Sequence, residues 1–358
     1  MQRYSIALIP GDGIGKDVID EGCRTLDTLG DVTGSFKLDY THFPWGCEYY
    51  LAHGEMMPEG GIASLRDHQS IYLGAVGYPT VPDHVSLWGL LLPIRKQFVQ
   101  YVNLRPIKLL PGIRGRLLDK GPEDIDFVCL RENTEGEYSG AGGRVHNGTE
   151  HEVALQSIIF TRMGVERIIR YAFQLALDQG RPSVTSVTKS NAMQYNMVFW
   201  DEVFADVARD YPGVKTTKYH VDALAARFIT NPESLDVVVA SNLFGDILTD
   251  LGGALQGSLG IPPSGNIDPT RKNPSMFEPV HGSAPDIAGK GIANPIAAFW
   301  AAQMMLDFLG EKDAAGVLMR AIEAVTREQR ILTPDLGGNA TTREVGDEVR
   351  RQIHVLGQ

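Results

Sequence analysis

Two aspartates four residues apart, Asp246 and Asp250 in Phe244-Gly245-Asp246-Ile247-Leu248-Thr249-Asp250, are the sharpest chemical feature of this 358-residue chain. They follow an apolar run at 235–240 and an expected turn at 241–245, so the spacing places both carboxylates on one face of a helix, near its start. Like charges held together repel, and a divalent cation that prefers oxygen ligands would relieve them. An acidic first turn that complements the helix dipole is the competing explanation, and spacing leaves both open. Three arginines have a similar double reading. Arg95 and Arg105 lie ten apart, and Arg131 follows the apolar run 125–130. Their fork geometry suits a clamp on a small polyanion, whereas three separate surface ion pairs are the commoner outcome for such residues. Lys189 follows the run Ser183–Thr188, at the strand end where α/β proteins usually hold ligands. There a lysine is a general base if partly desolvated or beside a cation, and otherwise a surface charge. Tyr138, in Glu137-Tyr138-Ser139, is a candidate acid or an ordinary loop tyrosine.

Two glycine-bearing segments add further possibilities. Gly11-Asp12-Gly13-Ile14-Gly15-Lys16 sits at a strand-to-helix junction. Its spacing is neither the dinucleotide fingerprint nor a phosphate loop, so a tight turn needing backbone freedom explains it equally well. Phe277-Glu278-Pro279-Val280-His281-Gly282-Ser283-Ala284-Pro285-Asp286-Ile287-Ala288-Gly289 is too rich in special backbone residues for a generic turn. It offers backbone donors and a flat ring to a nucleotide, and a carboxylate at Asp286 accepts ribose hydroxyls and repels a 2′-phosphate.

The elements that must position these groups alternate between short apolar runs and longer amphipathic stretches, the pattern of an α/β protein. Runs at 5–10, 125–130, 183–188 and 235–240 read as buried strands. Val18, Ile19, Cys23 and Leu26 recur at helical spacing after Gly15, and Met197, Trp200, Phe204, Val207 and Tyr211 form one stripe over 196–211. The run 296–309 is apolar on nearly every side, so a buried helix beginning after Pro295 is expected. Thr341 and Glu344 have capping-box spacing. The segment 136–148, rich in glycine and short polar residues, reads as a mobile loop or an extended arm. No repeat or linker divides the chain, which suggests two domains woven through one another.

Composition narrows the field further. Hydrophobic residues at 43% and charged residues at 22% describe an ordinary globular chain. A formal net charge of −11 without a basic cluster argues against a nucleic-acid partner. No run is long enough to span a membrane, and no secretory leader is evident, so a cytoplasmic location is the expectation. Cys23, Cys47 and Cys129 are odd in number and widely spaced, which fits free thiols in a reducing compartment.

Taken together, Ile-Pro-Gly-Asp-Gly-Ile-Gly, Asn-Leu-Arg-Pro, Arg-Glu-Asn-Thr-Glu-Gly, Asn-Leu-Phe-Gly-Asp-Ile-Leu-Thr-Asp and Glu-Pro-Val-His-Gly-Ser-Ala-Pro-Asp occur in order over almost the whole length. In this the chain resembles the metal-dependent β-decarboxylating dehydrogenases, the family of isocitrate and 3-isopropylmalate dehydrogenases. The resemblance implies a two-domain, non-Rossmann α/β fold. Segments 1–100 and 257–358 would form a discontinuous cofactor-side domain, and 101–256 an inserted substrate, metal and dimerisation domain with an arm near 136–155. It implies Arg95, Arg105 and Arg131 as the carboxylate clamp, and Asp246 and Asp250 as ligands of Mn²⁺ or Mg²⁺. A third ligand, Asp222, would come with Lys189 and Asn191 from the partner subunit of a homodimer. Lys189 is then the base and Tyr138 the acid.

His281, Gly282, Ser283, Ala284, Asp286, Ile287 and Asn294 are the implied NAD contacts. NADP-dependent relatives carry Lys-Tyr where Asp286-Ile287 stands here. A family requirement for a monovalent cation, typically K⁺, carries over without a sequence feature of its own. The specificity segment departs from the better-known members: Trp88 stands where isopropylmalate enzymes carry Glu, with Leu91 beyond it. A bulky ring there would shorten the pocket and disfavour a charged third arm. Val-Ser-Leu-Trp-Gly with Gln100-Tyr101-Val102-Asn103 downstream resembles the family members that act on four-carbon 2-hydroxydicarboxylates, so the resemblance implies substrates such as tartrate and D-malate. 3-Isopropylmalate is the rival substrate. A catalytically silent regulatory subunit is the rival class, disfavoured because every implied catalytic residue is present.

Overall fold

The computed structural model describes residues 1–357. They form two compact units, 1–100 with 106–125 and 253–357, and 101–105 with 126–252. The chain therefore passes from one unit to the other four times. Residues 106–125, expected in the inserted part, fall instead with the terminal segments.

In the first unit the strands run in the order Phe36–His42, Gln2–Gly11, Ser70–Ala75, Ser275–Pro279, Pro263–Ile267. The first four are mutually parallel and the last is antiparallel to its neighbour. All six residues of Ser70–Ala75 are buried, as expected for a parallel strand covered on both faces. Helix Gly15–Thr33 packs its Val18, Ile19, Leu26 and Leu29 inward and ends at Gly34, which is left-handed at φ 64°. Helix Ile296–Leu309 is buried on nearly all sides, because helices Gly15–Thr33 and Lys312–Glu328 and three strands pack around it. The Thr341–Glu344 capping box forms in both directions and opens helix Thr342–Leu356.

The junction after the first strand is a packing device. Gly11 has φ 70°, and a Cβ there would lie 2.0 Å from the Ala75 carbonyl oxygen; at Gly13, with φ 54°, it would lie 2.1 Å from that of Ser283. Only glycine lets these backbones pass so closely.

In the second unit four parallel strands run in the order Asp126–Glu132, Val237–Ala240, Ser183–Thr188, Lys215–His220. Helix Asn196–Ala208 buries Met197, Trp200, Phe204 and Val207, the predicted stripe. It stops before Tyr211, which lies in the following turn and stacks on Phe173 at 4.9 Å. The arm segment resolves into an exposed antiparallel hairpin, Gly142–Val145 with Val153–Gln156. Among the described residues no helix is long and apolar enough to cross a membrane.

Candidate functional site

The expected turn at 241–245 is already helical. The helix runs from Asn242 to Leu255, and its first turn contains no acid. Asp246 is thus its fifth residue, beyond the turn in which a helix dipole is effective, which removes the dipole explanation of the aspartate pair. The start is fixed by segment 135–138. Glu137 is buried and accepts from the Ser241 hydroxyl at 3.0 Å and from the Leu243 N–H at 3.1 Å. Gly245 is required because a Cβ there would sit 2.6 Å from Cβ of Arg131, so the helix passes directly against the strand that carries this arginine.

Three side chains of the second unit converge on that helix face. Arg131, the sixth residue of strand Asp126–Glu132, is buried; its Nε donates to Asn242 Oδ1 at 2.9 Å and its Nη1 to Asp246 Oδ1. Arg105, also buried, donates through Nη1 to Thr249 Oγ1 at 2.5 Å, with Nη2 3.6 Å from Asp246 and Nη1 3.8 Å from Asp250. The Tyr138 hydroxyl donates to Asp246 Oδ2 at 2.9 Å, and the Arg131 guanidinium lies 5.1 Å from the centre of its ring. Partial loss of water pushes the Asp250 carboxyl above its ordinary range; Arg105 opposes this, and the Asp246 charge reinforces it. Carboxylates, guanidinium groups and a phenol within one short span suit an anionic substrate held beside a cation.

Lys189 and Asp222 form a second constellation. Lys189 Nζ lies 2.6 Å from Asp222 Oδ1 and holds that carboxyl below its usual range. Lys189 follows strand Ser183–Thr188, Asp222 lies in the first turn of helix Val221–Thr230, and Asn191 is exposed in the turn after Lys189. Among the described residues, no three His, Cys, Asp or Glu side chains of the single chain gather as a metal site, so Asp222, Asp246 and Asp250 do not meet within one subunit.

In the first unit Arg95 is buried on the short helix Leu92–Gln97; Nη2 donates to Glu278 at 3.0 Å, and Nε has no partner. Glu278 also accepts from Asn266 at 2.7 Å. The specificity segment forms a π-helical turn, Leu87–Leu91, a distortion frequent at functional sites. Trp88 is 43% exposed, with the Lys96 ammonium 4.7 Å from the centre of its ring, while Leu91 packs partly against the apolar cluster around Leu90 and Ile94.

The loop beyond strand Ser275–Pro279 is held by the Ile14 N–H, which donates to the Ser283 carbonyl at 2.9 Å, and Ala284 is left-handed at φ 39°. His281 Nδ1 lies 3.0 Å from the Gly282 carbonyl, a contact only an N–H satisfies, and burial lowers the ring's affinity for a proton. Nδ1 therefore carries the proton of a neutral ring, and Nε2 is a shielded acceptor without a donor. Asp286 and Gly282 are exposed, and Ile287 is half-buried. Asn294 donates to Asp335 at 2.9 Å and accepts from the Ile296 N–H at 3.0 Å, so it also caps the buried helix.

Asn242 and Thr249 were not among the residues singled out from sequence. Their signal was available: Asn242, Asp246, Thr249 and Asp250 fall at i, i+4, i+7 and i+8, one face of a helix.

The sequence model of the isocitrate/isopropylmalate dehydrogenase family matches residues 5–349. The chain is 56% identical over 353 residues to the probable tartrate dehydrogenase/decarboxylase TtuC of Agrobacterium vitis, covering 99% of this chain and 97% of that protein. It is 54% identical over 361 residues to the D-malate dehydrogenase [decarboxylating] of Escherichia coli (strain K12), covering 99% of both. Among solved structures it is similar to isocitrate dehydrogenase from Methylococcus capsulatus, with TM-score 0.86 and 33% identity over 98% of this chain and 99% of that one.

Proposed function

Because this chain belongs to the isocitrate/isopropylmalate dehydrogenase family, we propose that it oxidises four-carbon 2-hydroxydicarboxylates with NAD⁺ and a divalent cation, and converts D-malate to pyruvate and CO₂. The observation that carries this reading is the helix face on which Asp246 and Asp250 stand among Arg105, Arg131 and Tyr138. The names borne by relatives at more than half identity support the substrate class.

The donor set fits a hard cation such as Mn²⁺ or Mg²⁺. Asp246 and Asp250 supply oxygen, and the charge that each imposes on the other is what a cation would relieve. Asp222 of a second subunit would complete the set, because among the described residues of one chain it does not gather with Asp246 and Asp250. The loop fits NAD: His281 Nε2 is an acceptor lacking a donor, and Asp286 is exposed to accept ribose hydroxyls. When bound, the cation supplies electrophilic stabilisation to the oxygen on C2, and NAD⁺ accepts the hydride.

The chain's own residues do the rest. Arg105 and Arg131 bind and orient the carboxylates of the substrate, joined by Arg95 as the third member of the clamp. Lys189 takes the hydroxyl proton as hydride leaves C2. The resulting β-keto acid loses its β-carboxylate as CO₂, and Tyr138 delivers a proton to the enol carbon, yielding pyruvate from D-malate. Trp88 sets the length of the pocket and disfavours a charged third arm. In this reading two subunits share each site, and the exposed hairpin is the arm that holds them together.

A substrate panel tests the proposal. D-malate, tartrate and 3-isopropylmalate are each supplied with NAD⁺ and Mn²⁺, and both NADH and CO₂ are followed. Turnover of the four-carbon acids, abolished by chelation, is expected. Preference for 3-isopropylmalate, or activity indifferent to chelator, would refute it.

A further inference from the structure

We infer that Asn242 and Thr249 are positioning residues for the two substrate arginines, holding them through neutral acceptors on either side of Asp246; this rests on the proposed function. Asn242 Oδ1 takes Arg131 Nε at 2.9 Å, and the Asn242 amide donates to the Glu135 carbonyl at 3.0 Å, so its orientation is set from both ends. Thr249 Oγ1 takes Arg105 Nη1 at 2.5 Å and donates its own proton to the Gly245 carbonyl at 2.7 Å, which leaves its lone pairs for the guanidinium. Both side chains are buried, as are both arginines.

Chemistry explains why neutral acceptors belong here. The same arginines also approach Asp246 and Asp250. A carboxylate that also serves a cation gives up part of its hold on a guanidinium, because positive charges compete for the same oxygens. An amide or hydroxyl oxygen is a far weaker cation ligand and is not competed for. Asn242 and Thr249 therefore keep Arg131 and Arg105 in place while the acids serve the metal, and Arg105 needs this most because its contacts to both acids exceed 3.5 Å.

The test uses the full-length enzyme. Thr249→Val keeps the shape and removes the acceptor; Thr249→Ser restores it. Thr249→Val is expected to raise the D-malate KM, and the calorimetric Kd for D-malate, about 10- to 100-fold, the range set by one hydrogen bond to a charged group. Its kcat should change less, and Thr249→Ser should stay near wild type. In a double-mutant cycle with Arg105→Lys the two losses should be less than additive, since both act through one contact. Unchanged KM and Kd in Thr249→Val, equal damage in Thr249→Ser, or strict additivity with Arg105→Lys would each overturn the assignment. Should Thr249→Val fail to fold, the cycle of Asn242→Ala with Arg131→Lys decides by the same criterion. Wild-type turnover of D-malate with an unaffected Thr249→Val defeats this inference alone. Wild-type enzyme that neither binds nor turns over the four-carbon acids defeats the proposed function and this inference with it.

Discussion

Replacing Tyr138 by Phe removes one oxygen and little else. That oxygen donates to Asp246 at 2.9 Å, while the ring beside Arg131 remains. The structural loss is one hydrogen bond to a charged acceptor, about 1.5 kcal/mol at a partly exposed residue, the low end of the range for such bonds. The chemical loss is larger: a positioned general acid is worth roughly 10²- to 10⁴-fold, or about 3–5.5 kcal/mol of barrier. Because the phenol is assigned to protonation of the enol carbon, the two halves of the reaction should separate. With D-malate as substrate the keto intermediate is oxaloacetate, so its reduction by NADH and its conversion to pyruvate can be assayed independently. Pyruvate formation should fall about 10²- to 10⁴-fold in Tyr138→Phe, whereas reduction of oxaloacetate should fall by no more than about tenfold, the share owed to the lost contact with Asp246. Equal loss in both assays would mean that Tyr138 acts only through Asp246 and would refute its role as acid.

Three other outcomes are expected. Asp246→Asn and Lys189→Ala, each inactive alone, should regain roughly a quarter of wild-type activity when co-expressed, since half of random dimers are mixed and each has one intact site; no recovery would place Lys189 and Asp246 in the same subunit's site. Trp88→Glu or Trp88→Ser should weaken use of D-malate, and unchanged selectivity in the same panel would remove the ring from the pocket. The thiols of Cys23, Cys47 and Cys129 are each pushed up to about 12, chiefly by burial. Folded thiols therefore keep protons that unfolded ones lose, so this contribution to stability is intact below pH 9 and declines as pH rises from 9 towards 12. A urea midpoint that does not fall over that interval, or rapid alkylation of the native protein by iodoacetamide at pH 8, would contradict it.

Most of the architecture was legible in the sequence because it rests on local signals. Strand Ser183–Thr188 and helix Ile296–Leu309 form at the residues their apolar patterns mark, and Thr341 and Glu344 cap each other because a capping box needs only four consecutive residues. The chemical types at Arg105, Arg131, Tyr138, Asp246 and Asp250 were equally readable, since four-residue spacing on a helix fixes which side chains share a face. Tertiary structure decided the rest. Only the close passage of Gly245 against Arg131, and Glu137 reaching from a distant loop to cap the helix, show that it begins at Asn242 and that its acids stand beyond the first turn. Only folding reveals Asn242 and Thr249 as partners of arginines more than a hundred residues away, because a hydrogen bond depends on where chains meet and not on spacing along one of them. The glycine turn at 11–15, whose spacing fits neither nucleotide motif, likewise shows its reason only in the fold, where the carbonyls of Ala75 and Ser283 occupy the space where side chains would stand.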